Sequence, residues 1–68
     1  LSKILLEINS KEKEIEIKGK SIRVDKLMEL INIYPETAVA VKDGELLCDD
    51  DKIKDGERIK IVVATSKG

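Results

Sequence analysis

The chain has 68 residues, with 13 Lys and Arg against 14 Asp and Glu, a formal net charge of −1, and 41% hydrophobic and 40% charged residues. That balance fits one small compact domain with a densely charged surface, and it gives no bulk attraction to nucleic acid or to an anionic membrane. The one aromatic residue, Tyr34, excludes a nucleic-acid platform built on stacked rings, and the one cysteine, Cys48, excludes an internal disulfide.

The first expected element is a strand over residues 3–8, where Ile4, Leu6 and Ile8 alternate with Leu5 on the other face. A second strand over 14–18 carries Ile15 and Ile17 on one face. The polar stretch 9–13 between them reads as a loop of several residues rather than a two-residue turn, and Gly19 ends the second strand.

The period then changes. Val24, Leu27, Met28 and Ile31 fall at i, i+3, i+4 and i+7, one stripe of a helix over about 24–32, and Leu30 widens it. Asp25 sits in the first turn, where the helix dipole favours a negative charge. Asn32 is the expected left-handed residue at the end, with Ile33 folding back, and Pro35 forbids continuation.

A third strand is expected over 37–42, with Val39 and Val41 on one face and Ala38 and Ala40 on the other. Asp43-Gly44 turns the chain into a short strand over 45–48. Residues 49–51 are three aspartates, read as a solvated connector, and Ile53 is a lone apolar anchor. Asp55-Gly56 leads into the last strand, 57–64, where Ile59, Ile61 and Val63 alternate with Arg58, Lys60 and Val62. One helix must bury its stripe on the sheet, so the fold class is α+β: a mixed four- to five-stranded sheet packed on one main helix, the β-grasp (ubiquitin-like) arrangement. The first and last strands are expected side by side and parallel at its centre.

The chain closes its core with its final strand and then runs out through Thr65, Ser66, Lys67 and Gly68. The expected division is a β-grasp domain over 1–64 and a flexible tail over 65–68, since the tail has no apolar group to offset the entropy of ordering it. A glycine carboxylate is the least hindered one a chain offers, having no Cβ beside it.

Val24-Asp25-Lys26-Leu27-Met28-Glu29-Leu30, then Val39-Ala40-Val41-Lys42-Asp43-Gly44-Glu45, then Lys54-Asp55-Gly56-Glu57-Arg58-Ile59, resemble the ubiquitin-like sulfur carriers. These include the thiamin sulfur carrier, the small subunit of molybdopterin synthase and the small archaeal modifiers. The spacing of these stretches is most similar to the thiamin sulfur carrier. The resemblance implies a carrier and not an enzyme. An ATP-dependent adenylating enzyme of the ubiquitin-activating type activates the terminal glycine, here Gly68, as an acyl-adenylate. Sulfur delivery then gives a thiocarboxylate, or an amine or thiol attack gives a conjugate, and a sulfur-accepting synthase or thiolase-type partner follows. One departure stands out: the family ends in Gly-Gly, whereas Lys67 precedes Gly68 here. Either a further glycine follows in the native chain, or the tail accommodates lysine, or this member no longer acts as a carrier. At roughly 3.5 Å per residue the four-residue tail reaches at most about 14 Å, enough to enter a narrow channel while the body docks outside.

Docking is expected on the outer sheet face around Ala40, Arg58, Lys60 and Val62, with Lys42 as a further basic neighbour and Ala38 and Ala64 as small apolar ones. Cys48 is expected to be a half-buried structural thiol. No catalytic residue, cofactor or metal is expected, nor any nucleic-acid or membrane partner, and the free protein is expected to be a monomer. The opening residues lack the basic-then-apolar pattern of a signal peptide and no apolar run approaches the ~20 residues of a membrane span, so the expected location is the cytoplasm. The alternative function is a β-grasp binding module without tail chemistry. A ferredoxin-type protein is excluded, because it needs four thiolates.

Overall fold

The computed structural model describes residues 1–64. Seven strands, one α-helix and one 3-10 turn follow in order: β1 (Ser2–Ile8), β2 (Lys11–Ile17), β3 (Ser21–Arg23), α1 (Val24–Leu30), the turn Pro35–Thr37, β4 (Ala38–Lys42), β5 (Glu45–Leu47), β6 (Lys52–Lys54) and β7 (Arg58–Val63). The main sheet has the order β2-β1-β7-β4-β5, and β3 pairs with β6 in a small second sheet. β7 runs parallel to β1 and antiparallel to β4, so the last strand lies at the centre as expected.

The inner face follows from alternation. Ile4 and Leu6 of β1, Ile59 and Ile61 of β7, and Val24, Leu27 and Met28 of α1 are all buried in one core, with Ile53 from β6. α1 is shorter than its periodicity suggests, and Ile31 is only half-buried. The reason is the helix end. Asn32 adopts φ +61°, its N–H donates to the Glu29 carbonyl at 3.1 Å, and the Ile33 N–H donates to the Met28 carbonyl at 2.9 Å. That is a Schellman ending, with Ile33 folded back against the core as expected. Leu30 does not widen the buried stripe; it is 59% exposed.

The β1–β2 connection also differs from expectation. Ile8 pairs with Lys11, and Asn9 and Ser10 take φ +52° and +67°. Two consecutive left-handed residues make a tight turn of the primed type, which matches the strand twist, and asparagine tolerates that conformation well. The second strand therefore starts three residues earlier than its apolar alternation shows, because its first half pairs through the backbone while presenting charged side chains.

The β3–β6 pair was not expected from so few apolar residues. Ile22 lies opposite Ile53, so the anchor at Ile53 is fully buried within a strand. Residues 48–51 then close on themselves: the Cys48 N–H donates to Asp51 Oδ2 at 2.7 Å, and the Asp51 N–H donates to the Cys48 carbonyl at 3.1 Å. This turn caps the helix. The Val24 N–H donates to the Asp51 carbonyl at 2.9 Å and the Asp25 N–H to the Asp49 carbonyl at 3.0 Å. Two of the helix's orphan donors are met by backbone, since Arg23 at the N-cap makes no side-chain cap. Cys48 is exposed, not half-buried, because its strand ends one residue before it.

Leu27 is fully buried. Leu27→Ala is expected to cost about 2–5 kcal/mol, from lost transfer energy plus the cavity left behind. Urea unfolding followed by circular dichroism measures it, and a loss under about 1 kcal/mol would contradict the packing described here.

Candidate functional site

β7 positions the site. Its inner side chains hold it in the core, and its outer ones, Arg58, Lys60 and Val62, stand on the opposite face. Cross-strand partners share a face. Lys60 lies opposite Glu7 of β1 and Val41 of β4, Val62 lies opposite Val39, and Val41 lies opposite Leu46 of β5. The outer face is therefore an apolar stripe of Leu46, Val41, Val39 and Val62 beside a basic margin of Lys60 and Arg58. Leu46 is 71% exposed, and Val39 and Val62 are each 44% exposed. Arg58 reaches Glu12 of β2 at 3.4 Å, with both side chains more than half exposed, a pair of little energetic weight.

The alanines do not belong to that face. Ala40 is fully buried and Ala38 nearly so. Ala40 lies opposite Ile61 and Ala38 opposite Val63, so the pairing with β7 turns both inward. The sequence puts larger valines and smaller alanines at alternate positions and so favours valine inside. The register decides otherwise: Val39 and Leu46 are exposed, and Val41 half-buried, on the face expected for Ala38 and Ala40. Leu46 was legible only as one half of a Leu-Leu pair; its partner Leu47 is the half-buried one.

Lys42 also leaves the expected patch. Its Nζ meets Glu57 Oε2 at 2.5 Å, while Glu57 Oε1 accepts the Lys54 N–H at 2.7 Å. Lys42 thus clamps the turn before β7 rather than joining Arg58 and Lys60. The carbonyls of Asp49 and Asp51 serve the helix cap, and no cluster of three or more His, Cys, Asp or Glu side chains suited to a metal occurs among the described residues. No helix among them is long and apolar enough to cross a membrane.

The end of β7 is clipped. Ala38 pairs with Val63, and the Ala64 N–H donates to the Thr37 carbonyl at 2.7 Å. Ala64 is exposed and has the same parity as Val62, Lys60 and Arg58. The last described residue is therefore fixed at the margin of the apolar–basic face. Thr65, Ser66, Lys67 and Gly68, expected to form a flexible tail with Gly68 as its working end, lie outside the described residues.

The Lys42–Glu57 pair sets a pH dependence. The hydrogen bond from Lys42, then that from the Lys54 N–H, holds the Glu57 carboxyl below its ordinary value of 4.5. The same bond holds Lys42 above its ordinary value of 10.5. Glu57 thus contributes stability that is full above pH 4.5 and is lost as pH falls through its lowered folded value. Lys42 contributes stability that is full below pH 10.5 and is lost as pH rises through its raised one. Glu57→Gln is expected to flatten the acid limb of thermal stability below pH 4.5. Melting curves across that range check it, and an acid limb identical to that of the parent chain would count against the clamp.

No protein-family model matches the chain. Among curated proteins it is similar to the sulfur carrier protein TtuB of Thermus thermophilus, with 34% identity over 56 residues, covering 82% of this chain and 85% of that relative. Among solved structures it is similar to the thiamine biosynthesis protein ThiS of Geobacter metallireducens, with a TM-score of 0.64 and 22% identity, over 94% of this chain and 97% of that one. The likeness to ThiS is one of fold: a mixed five-stranded sheet on one main helix, the α+β ubiquitin-like arrangement.

Proposed function

The chain belongs to the β-grasp sulfur carriers, a family of carriers and not of enzymes, and we propose that it works through the glycine carboxylate at the end of its tail. That carboxylate is Gly68 where the native chain stops there, and the following glycine where it continues. The observation that supports this reading is the fixed position of Ala64 at the edge of an exposed apolar–basic face. Whatever follows residue 64 starts beside a surface on which a partner can sit.

The chemistry asks little of the carrier. A carboxylate is a poor acceptor for a nucleophile. Attack of its oxygen on the α-phosphorus of ATP forms an acyl-adenylate and releases pyrophosphate. Hydrosulfide then attacks the acyl carbon, the acyl–phosphate bond breaks, AMP leaves with the bonding pair, and loss of the proton leaves a thiocarboxylate. An ATP-dependent adenylating enzyme supplies the acid–base and phosphate-binding groups, which fits a chain without histidine. The carrier then hands its sulfur to an accepting synthase, thiamine biosynthesis being the route carried in the name of the ThiS neighbour. We place this exchange in the cytoplasm.

Docking falls to Val39, Val41, Val62 and Leu46, with Lys60 and Arg58 at their margin. Exposed aliphatic groups give area, and the two cations orient an acidic partner surface. Ala40 acts only through the core beneath. Lys67 is the tail's obstacle, since a long cationic side chain must pass where a backbone hydrogen suffices in the rest of the family.

The test is to incubate native-length protein with its cognate adenylating enzyme, ATP and a sulfur donor, and to weigh it intact. The expected product is heavier by the replacement of one oxygen with one sulfur. Removing the terminal glycine is expected to abolish the reaction without moving the melting temperature. Lys60→Ala combined with Val62→Ala is expected to lower kcat/KM for activation about tenfold or more. Lys67→Gly is expected to speed activation where Gly68 is the native end. A folded protein that yields no acyl-adenylate, no thiocarboxylate and no conjugate refutes the reading and leaves a binding module.

A further inference from the structure

A second surface flanks the root of the tail from the helix side. The turn Pro35–Thr37 leads from α1 into β4, and its Thr37 carbonyl is the group that clips Ala64. Between this turn and the helix lies an open cleft of about 590 Å³. Ile33, Tyr34 and Pro35 form its apolar wall, and Asp25, Glu29, Glu36 and Asp49 supply carboxylates around it, with no basic residue in the lining among the described residues.

We propose that this cleft binds a basic segment of a protein partner, one that carries arginine or lysine beside an apolar residue. Charge complementarity points to that occupant. Arg23 reaches Asp25 at 3.0 Å, and Lys26 reaches Glu29 only at 3.8 Å with both side chains 63% exposed. Glu36 and Asp49 have no ion-pair partner among the described residues. Asp25 spends one oxygen, Oδ2, on Arg23, and its side chain is 27% exposed.

The apolar wall separates this site from an ordinary solvated acidic surface. Tyr34 is the sole aromatic residue, and it is 75% exposed. Leu30, on the last turn of α1, is 59% exposed. Tyrosine is a common anchor at interface centres, and its ring attracts a guanidinium or ammonium placed over its face. Its backbone is already set: the Tyr34 carbonyl accepts both the Thr37 N–H and the Thr37 hydroxyl at 3.0 Å. Little backbone ordering remains to oppose binding at this turn. The aliphatic stems of Lys or Arg cover apolar surface while their heads meet the carboxylates.

The sign of the charge is opposite to that of the outer sheet face, where Arg58 and Lys60 stand. A partner that straddles the tail root meets acidic groups on one side and basic groups on the other, which fixes its rotation about the tail. Binding in the cleft itself needs no reactive carboxylate, so it is tested without any activating enzyme.

The probe is a short capped peptide of alternating arginine and leucine, titrated into isotope-labelled protein and followed by amide NMR. Shifts are expected to concentrate at residues 25, 29, 32–34, 36 and 49, with the Tyr34 amide among the largest. A peptide with glutamine in place of arginine is expected to leave those signals in place. Tyr34→Ala combined with Glu36→Lys is expected to weaken binding about tenfold or more, and Glu36→Gln alone, at an exposed position, to weaken it less and without disturbing the fold. Equal shifts across all acidic surfaces, including Glu14 and Glu16 on the edge strand, overturn the proposal. So does unchanged affinity in both variants.

Discussion

The burial of β7 between β1 and β4 is the constraint on which the rest depends. Ile59 and Ile61 are almost fully excluded from solvent, so the strand has one tolerable register. A slip by one residue would drive Arg58 and Lys60 into the core. Parallel pairing with β1 needs a crossover, and α1 lies in that crossover, which is why the helix packs on the inner face. The same register decides the outer face. Val62 is outside because Ile61 is inside, and Val39 is outside because it lies opposite Val62. The core and the proposed docking face thus occupy alternate residues of one strand.

Elements with a strong period were legible in the sequence. Val24, Leu27 and Met28 point to a helix, Ile59 and Ile61 to a buried strand, and the Asn32–Pro35 stretch to a helix end; each stands where the pattern puts it. Three features were hidden, for different physical reasons. The first half of β2 carries alternating lysine and glutamate, so its pairing has no apolar signature and shows only through the backbone. β3 and β6 are three residues each, below the length at which alternation is readable. The facing of β4 is a tertiary decision: size alone favours the valines of Ala-Val-Ala-Val inside, and the register with β7 turns the alanines in instead.

That last point reaches the candidate site directly. Arg58, Lys60 and Val62 were found from β7, whose alternation of charged and branched residues is one-sided for most of its length. Ala40 was misplaced because β4 offers no charge to mark its outer face. The apolar stripe of Val39, Val41 and Leu46 needed the sheet order as well as the pattern, since it crosses three strands. A site made from a single strand can be read in one dimension, whereas one made across strands needs the register.

α1 has seven residues, too few to persist on propensity alone, so it is held at both ends by the chain around it. At its start the carbonyls of Asp49 and Asp51 take the first N–H groups, which brings the acidic connector against the helix. At its end the left-handed Asn32 throws the chain sideways into Ile33, Tyr34 and Pro35. The acidic cleft lies between these two devices, with Asp25 and Asp49 from the first and the apolar wall from the second. Its charge and its exposed ring therefore arise from the parts that make a short helix possible. A substitution that lengthened α1 past Asn32 would add helical hydrogen bonds, but it would also remove the turn that carries Tyr34 and shift Thr37, whose carbonyl holds Ala64. The short helix is thus coupled through two backbone bonds, Ile33 to Met28 and Ala64 to Thr37, to the position of Ala64.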